Sequence, residues 1–332
     1  MMKSILDRCS PRTWFSLEDE LDTFQQRLAQ LDNLLLEKSL KPHERRKAES
    51  PNSERPRMSF LHGRKVGFIG TGNMAQAILK GLIDNGKIKP EHIAGANRSP
   101  GKIQKLSDQY GIQVKTTNEA VIDFSDIIII GVKPQDFAAA IEPVASLFNP
   151  GQIVISLAAG IRLESLQKML PQTRIIRLMP NTPSLIGKGV IGYLAADDDP
   201  TLSTVVEDLF SPLGYVLQVE DEDQFAALTV SCSSGTGFLF ELMLYWQEWI
   251  EEHGFSPEVA RQMTVETFLG ASELAAQSRG VQIEELQSRV TSKKGVTFAG
   301  LSSMRELEVD RALRISFEKA AMRNTEMGKE FK

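Results

Sequence analysis

Apolar positions along the chain change texture twice, near residues 64 and 221. In residues 1–63, Leu17, Leu21, Phe24, Leu28, Leu31 and Leu35 recur in alternating steps of four and three among Glu, Asp, Gln, Arg and Lys. That is the heptad stripe of a helix that either self-associates or lies on the protein's own surface. Ser16 with Asp19 suits its start, and Pro42 its end. Residues 38–57 are polar, basic and aperiodic, the texture of a flexible linker, and Met58 is an alternative start of translation.

From residue 64 to 220, short apolar runs at 66–69, 93–96, 126–132, 153–157 and 174–179 alternate with helical stretches. Such runs, apolar on both faces, predict βα units around a mainly parallel sheet. Strands at 189–193 and 215–219, with a helix at 202–210 between them, close the pattern. Residues 221–332 read as helix: long amphipathic segments at 238–250 and 259–276 flank a stop and restart at His253-Gly254-Phe255-Ser256-Pro257. A loop at 291–297 precedes a further helix, and 309–327 makes the last. Helical hairpins without a deep core of their own predict burial against a second copy of the chain.

Chemistry enters where the first run breaks into Gly70-x-Gly72-x-x-Ala75 and then into the helical pattern Ala77, Ile78, Leu82. In a strand, turn and helix, Gly70 permits the turn, Gly72 lets a pyrophosphate approach the backbone, and Ala75 lets helix and strand pack closely. The helix start then offers free N–H groups and a positive dipole end. The second run ends in Asn97-Arg98-Ser99-Pro100, without the acidic residue that would hold a ribose 2′-hydroxyl. A guanidinium beside an amide and a hydroxyl favours a 2′-phosphate, hence NADPH with NADH possible, although an ordinary polar turn stays open. Three later strand ends, Lys133-Pro134-Gln135, Ala158-Ala159-Gly160 and Pro180-Asn181-Thr182-Pro183, either leave room for a nicotinamide ring or serve as structural turns.

The 332 residues suffice for two cores, and 42% hydrophobic with 24% charged residues is the balance of a globular protein. A net charge of -5 argues against nucleic acid as partner. Cys9 and Cys232 make no disulfide framework, and four histidines without ligand spacing point to no metal. The N-terminus has no apolar core for a signal peptide, and no apolar run reaches membrane-spanning length, so the expectation is a cytoplasmic protein without a membrane partner.

In order along the chain stand Phe68-Ile-Gly-Thr-Gly-Asn-Met-Ala75, Asn97-Arg-Ser99, Val132-Lys-Pro-Gln135, Ala158-Ala-Gly-Ile161, Met179-Pro-Asn-Thr-Pro183 and Thr291-Ser292, Gly295-Val-Thr297, Ala299-Gly-Leu301. Over residues 65–327 this series resembles the pyrroline-5-carboxylate reductase family, which makes L-proline. The resemblance implies a Rossmann-type α/β domain at 64–220, an all-helical dimerisation and substrate domain at 221–332, and an added helical extension at 1–63. It implies a homodimer or a higher oligomer built from dimers. By the same match Ile69, Gly70, Thr71, Gly72, Asn73 and Met74 would line the cofactor pyrophosphate. Asn97 and Arg98 would lie at the 2′-phosphate, Asn118 at the adenosine end, and Val132, Lys133, Pro134 and Ala159 on the nicotinamide side. Substrate would meet Ser292, Gly295, Val296 and Thr297, with Glu222 nearby.

The chemistry implied is hydride transfer to the ring carbon of a cyclic imine. Backbone N–H groups at Gly295 and Val296 suit the carboxylate, and the Thr297 hydroxyl suits the ring nitrogen, although it could equally cap a helix. Two stretches depart from the family. Cys232-Ser-Ser-Gly-Thr-Gly-Phe238 replaces Ser-Gly-Ser-Gly-Pro-Ala-Tyr, and Lys293-Lys294 replaces Pro-Gly. Both lie near the expected substrate, which leaves open reduction of another small imine or oxo acid, or an inactive dinucleotide-binding regulatory relative.

Overall fold

A computed structural model of the chain describes residues 60–196 and 199–329. Of the extension at 1–63, residues 1–59, with the heptad stripe, lie outside the described residues, while Leu61 is buried against the sheet domain and Phe60 N–H donates to Asp208 Oδ2 at 3.0 Å. Eight strands form one sheet: β1 Val66–Ile69, β2 Ile93–Ala96, β3 Gln113–Val114, β4 Ile127–Ile130, β5 Ile153–Ser156, β6 Arg174–Met179, β7 Gly189–Ala195 and β8 Gly214–Gln218. Their order is β3-β2-β1-β4-β5-β6-β7-β8. Strands β1 to β6 run parallel, and β7 and β8 form a parallel pair that runs against them.

Helices cover both faces: α1 Asn73–Asp84, α2 Pro100–Tyr110, α3 Asn118–Phe124, α4 Phe137–Ile141, α5 Leu163–Met169 and α6 Pro200–Phe210. The all-isoleucine strand β4 shows why a continuous apolar run is needed. Ile127 and Ile129 join one core layer with Phe68 and Ile155, while Ile128 and Ile130 join the opposite layer with Ile69 and Val154. All four are fully buried. Order reverses where β1 meets both β2 and β4, so the chain leaves those strand ends in opposite directions and a crevice opens at their carboxyl edge.

Beyond β8 the chain is helical: α7 Glu222–Leu228, α8 Gly235–Glu252, α9 Pro257–Gln277, α10 Ile283–Arg289, α11 Val296–Glu306 and α12 Val309–Lys329. A π-helical turn, Thr229–Ser234, joins α7 to α8, and it falls on the stretch that departs from the family. The α8–α9 hairpin forms where the sequence predicts it. Gly254 takes φ +89°, Pro257 opens α9, and the Ser256 hydroxyl accepts from Val259 N–H at 3.4 Å. Trp246 meets Phe268 edge to face across the hairpin, with centroids 5.4 Å apart.

The stretch before the 291–297 loop, for which the sequence predicts no element, contains α10, whose polar Glu, Gln and Arg residues give no apolar stripe; none of its residues is buried. The loop itself needs correction. The next helix begins at Val296, so Val296 and Thr297 occupy its first turn rather than a loop, and its N-cap is Gly295, not Thr297. By length and composition, the helical stretch Glu222–Glu252 is also long and apolar enough to cross a membrane, although its separate apolar runs are short.

Candidate active site

The crevice between β1, β2 and β4 is a cavity of about 810 Å³. Its floor is the turn after β1, where Gly70 adopts φ +84°. A Cβ there would lie 2.6 Å from Val132 Cγ1 and 2.9 Å from Val132 N, so only glycine lets the two strand ends approach this closely. Gly72 has open space instead: a Cβ would meet nothing nearer than Gly131 O at 3.6 Å. It is the N-cap of α1, and no side chain caps this helix. The helix therefore starts at the cavity's edge, at Gly72, with no side-chain cap on its first turn, an arrangement that fits the pyrophosphate of a dinucleotide.

The turn is fixed from below. Thr71 is buried, its N–H donates to Asn97 Oδ1 at 2.6 Å, the Asn97 amide donates to Thr71 Oγ1, and Gln76 Nε2 donates to Thr71 O at 2.9 Å. Asn97 thus ties the β2 end to the β1 turn, while Arg98 beside it is free to reach outward. The Arg98 side chain is 88% exposed, and Nη1 lies 3.3 Å from Asp136 Oδ1. Asn118 donates through Nδ2 to Ala140 O at 3.0 Å.

Of the residues expected to bind cofactor, Ile69, Gly70, Thr71, Gly72, Asn97, Arg98, Asn118, Val132 and Lys133 line this one cavity. Asn73 and Met74 follow in the first turn of α1, Pro134 lies between the wall residues Lys133 and Gln135, and Ala159 packs toward the core below α7. Ser99, whose hydroxyl the sequence offers beside Arg98, is also in the wall, and Lys102, Thr116, Thr117 and Asp136 join it without having been expected there. Thr117 announces itself only as the cap of α3, accepting from Ala120 N–H at 3.3 Å. Asp136 gave no signal at all.

The residues expected at the substrate lie outside this wall. Ser292 to Gly295 makes a tight turn, closed by Gly295 N–H donating to Ser292 O at 3.0 Å, with Lys294 at φ +60°. Val296 is 93% exposed and Thr297 is exposed beside it. Glu222 is committed within the fold: Oε1 accepts from Leu163 N–H at 2.7 Å and Oε2 pairs with Arg177. Arg177 is buried, and its guanidinium stacks 4.0 Å over the Phe225 ring. Burial pushes this guanidinium below its usual pKa, and Glu222 opposes that by charge and hydrogen bond. The Asn181 side chain donates to Cys232 O at 3.2 Å and accepts from Val190 N–H at 2.8 Å, while Ser233 Oγ donates to Pro180 O at 3.1 Å. The Pro180-Asn181 turn is thereby tied to the π-helical turn, a structural role for both.

Comparison with known proteins places these features. A family model described as pyrroline-5-carboxylate reductase dimerisation matches residues 222–327, and one described as NADP oxidoreductase coenzyme F420-dependent matches residues 65–160. The pyrroline-5-carboxylate reductase of Pseudomonas aeruginosa is 33% identical over 270 residues, covering 80% of this chain and 98% of that one. The chain belongs to the pyrroline-5-carboxylate reductase family. The Arabidopsis thaliana member is 32% identical, across 79% of this chain and 95% of its own. A pyrroline-5-carboxylate reductase structure from Coxiella burnetii superposes with a TM-score of 0.71 at 30% identity, covering 81% of this chain and 98% of that one. The family's similarity thus spans both the sheet and the helices, and the residues before the sheet lie outside it.

Proposed function

We propose that this protein reduces 1-pyrroline-5-carboxylate to L-proline, the last step of proline biosynthesis, as an NADPH-preferring enzyme of the cytoplasm. The observation that carries the cofactor half is the cavity itself: an uncapped helix start at one side and Arg98 at the other, with no acid on the β2 end. Bound NADPH supplies the hydride. The N–H groups of Gly72, Asn73 and Met74 hold its pyrophosphate, and Ile69, Gly70 and Thr71 shape the turn beneath. Arg98 with Ser99 takes the 2′-phosphate, Asn97 keeps their strand end in place, and Asn118 stands at the adenosine end. Val132, Lys133, Pro134 and Ala159 bound the nicotinamide side.

The substrate half rests on the turn before α11. The N–H of Val296, at a helix start whose N-cap Gly295 has no side chain to offer, receives the substrate carboxylate together with Ser292, while Gly295 shapes the turn with its own N–H held by Ser292 O. Thr297 hydrogen-bonds the ring nitrogen, and Glu222 supports the site through the Arg177 pair rather than by touching substrate. An imine already protonated on nitrogen accepts hydride at the ring carbon without further activation, so the protein has mainly to orient it. The helical region joins two copies into a homodimer, the unit from which any higher oligomer is built.

NADPH oxidation assayed with 1-pyrroline-5-carboxylate, beside complementation of a proline auxotroph, tests the proposal. Turnover with complementation supports it. A second reading draws on Lys293-Lys294 and Phe238, which replace family residues near the substrate: turnover confined to another small imine or oxo acid would favour it. NADPH binding without any turnover would instead make the protein a regulatory dinucleotide binder.

A further inference from the structure

The β2 end has no acidic residue, yet the fold brings one to the same place from the end of β4. Asp136 closes the short turn Pro134–Asp136, where Pro134 opens the turn and Asp136 N–H donates to Lys133 O at 2.9 Å. The turn therefore positions the carboxylate independently of any side-chain partner. That carboxylate is part of the cavity wall and meets Arg98 Nη1 at 3.3 Å. The cations on this wall are Arg98, Lys102 and Lys133, so a 2′-phosphate placed at Arg98 would enter a field to which Asp136 contributes the opposing sign. We infer that Asp136 is a specificity-determining residue: it holds Arg98 in the free enzyme and competes with the 2′-phosphate for it, narrowing the preference for NADPH over NADH.

The inference rests on the assignment of Arg98 to the 2′-phosphate. An exposed pair of this kind is weak, and a dianion meets it with roughly twice the charge. Removing Asp136 should therefore tighten NADP⁺ by about two- to fivefold without a matching change for NAD⁺. The test is calorimetric titration of NADP⁺, NAD⁺, adenosine 2′,5′-bisphosphate and 5′-AMP into the full-length protein, its Asp136→Asn and Arg98→Ala variants, and the double variant. Asp136→Asn should tighten the two 2′-phosphorylated ligands only. That gain should shrink at high salt and disappear in the Arg98→Ala background. A gain shared by NAD⁺ and 5′-AMP, no gain, or a gain that survives loss of Arg98 would each overturn the inference. If Arg98→Ala weakens all four ligands alike, the phosphate assignment itself falls and takes the inference with it.

Discussion

Arg98 reaches the cavity with its side chain largely in solvent, so its charge meets a ligand at little desolvation cost. A charge-assisted contact of this kind is worth about 1.5–3 kcal/mol. Arg98→Asp removes it and adds repulsion, so NADPH affinity should fall by roughly ten- to hundredfold while NADH changes far less. Fluorescence titration with both cofactors checks this, and equal losses would take the phosphate away from Arg98. Glu222 presents the opposite situation. Its oxygens serve Leu163 N–H and the buried Arg177, so Glu222→Gln leaves a cation in the core facing a neutral amide. Breaking a buried pair from one side costs about 3–5 kcal/mol. Urea unfolding should show a loss of that size, with KM for the imine unchanged in the folded fraction. Raised KM at undiminished stability would return Glu222 to the substrate. The sequence displays Arg98 plainly, because it sits directly after an apolar run that ends at a recognisable strand edge. It hides the Glu222 pairing, whose partner lies 45 residues away on a central strand, since nothing local marks which charge a fold will bury.

Among elements, the strands were legible because burial on both faces demands unbroken apolar runs, as in β4. The helix α10 and the π-helical turn were not: one is short and wholly unburied, and the other inserts its extra residue without disturbing any hydrophobic period. The turn at 292–295 gains most from the geometry. Its third residue, Lys294, holds φ +60°, the conformation glycine adopts freely, and the family's Pro-Gly suits the second and third positions of such a turn. A side chain in this region costs about 1–2 kcal/mol, which glycine's greater unfolded-state freedom offsets by about 0.5–1 kcal/mol. Proline at 293 stiffens the unfolded chain by a further 0.4–1 kcal/mol, roughly. Lys293→Pro with Lys294→Gly should therefore raise stability by about 1 kcal/mol in urea unfolding; a loss would show that the turn prefers its lysines. Kinetics of the same variant separate two roles for the charges. If a lysine reaches the substrate carboxylate, KM rises and loses its salt sensitivity; if both are solvated, KM stays. At the start of α11, Thr297→Val keeps the shape and removes the hydroxyl. It should lower kcat/KM for the imine by an amount equivalent to about 1–3 kcal/mol while leaving NADPH affinity intact. Equal kcat/KM would assign the ring nitrogen to another group.

At the scale of the whole molecule, the two parts of the described chain bury their apolar residues to very different extents. The sheet and its helices enclose two continuous layers, whereas α8, with 18 residues, buries only Gly235 and Ile250, and α9, with 21, only Ala260 and Thr264. Leu239, Phe240, Leu244, Trp246 and Trp249 on α8, and Met263, Leu269 and Leu274 on α9, stand between 39% and 61% exposed. An apolar surface of this extent marks an association face, and a stable pair needs about 800 Å² from each copy. The cofactor cavity, by contrast, is walled wholly by residues 69–140 of the sheet side. Leu244→Glu combined with Trp249→Glu should therefore separate the two properties. Sedimentation equilibrium should show the protein shifting to monomer, while NADPH affinity stays within about threefold, because no wall residue of the cavity is touched. Turnover should fall with the dimer, since the turn before α11 lies in the helical part and Val296 beside it stands almost fully exposed until something covers it. A double variant that remains dimeric would place the association face elsewhere. One that loses cofactor binding along with the dimer would show that the sheet depends on the partner copy for its own integrity.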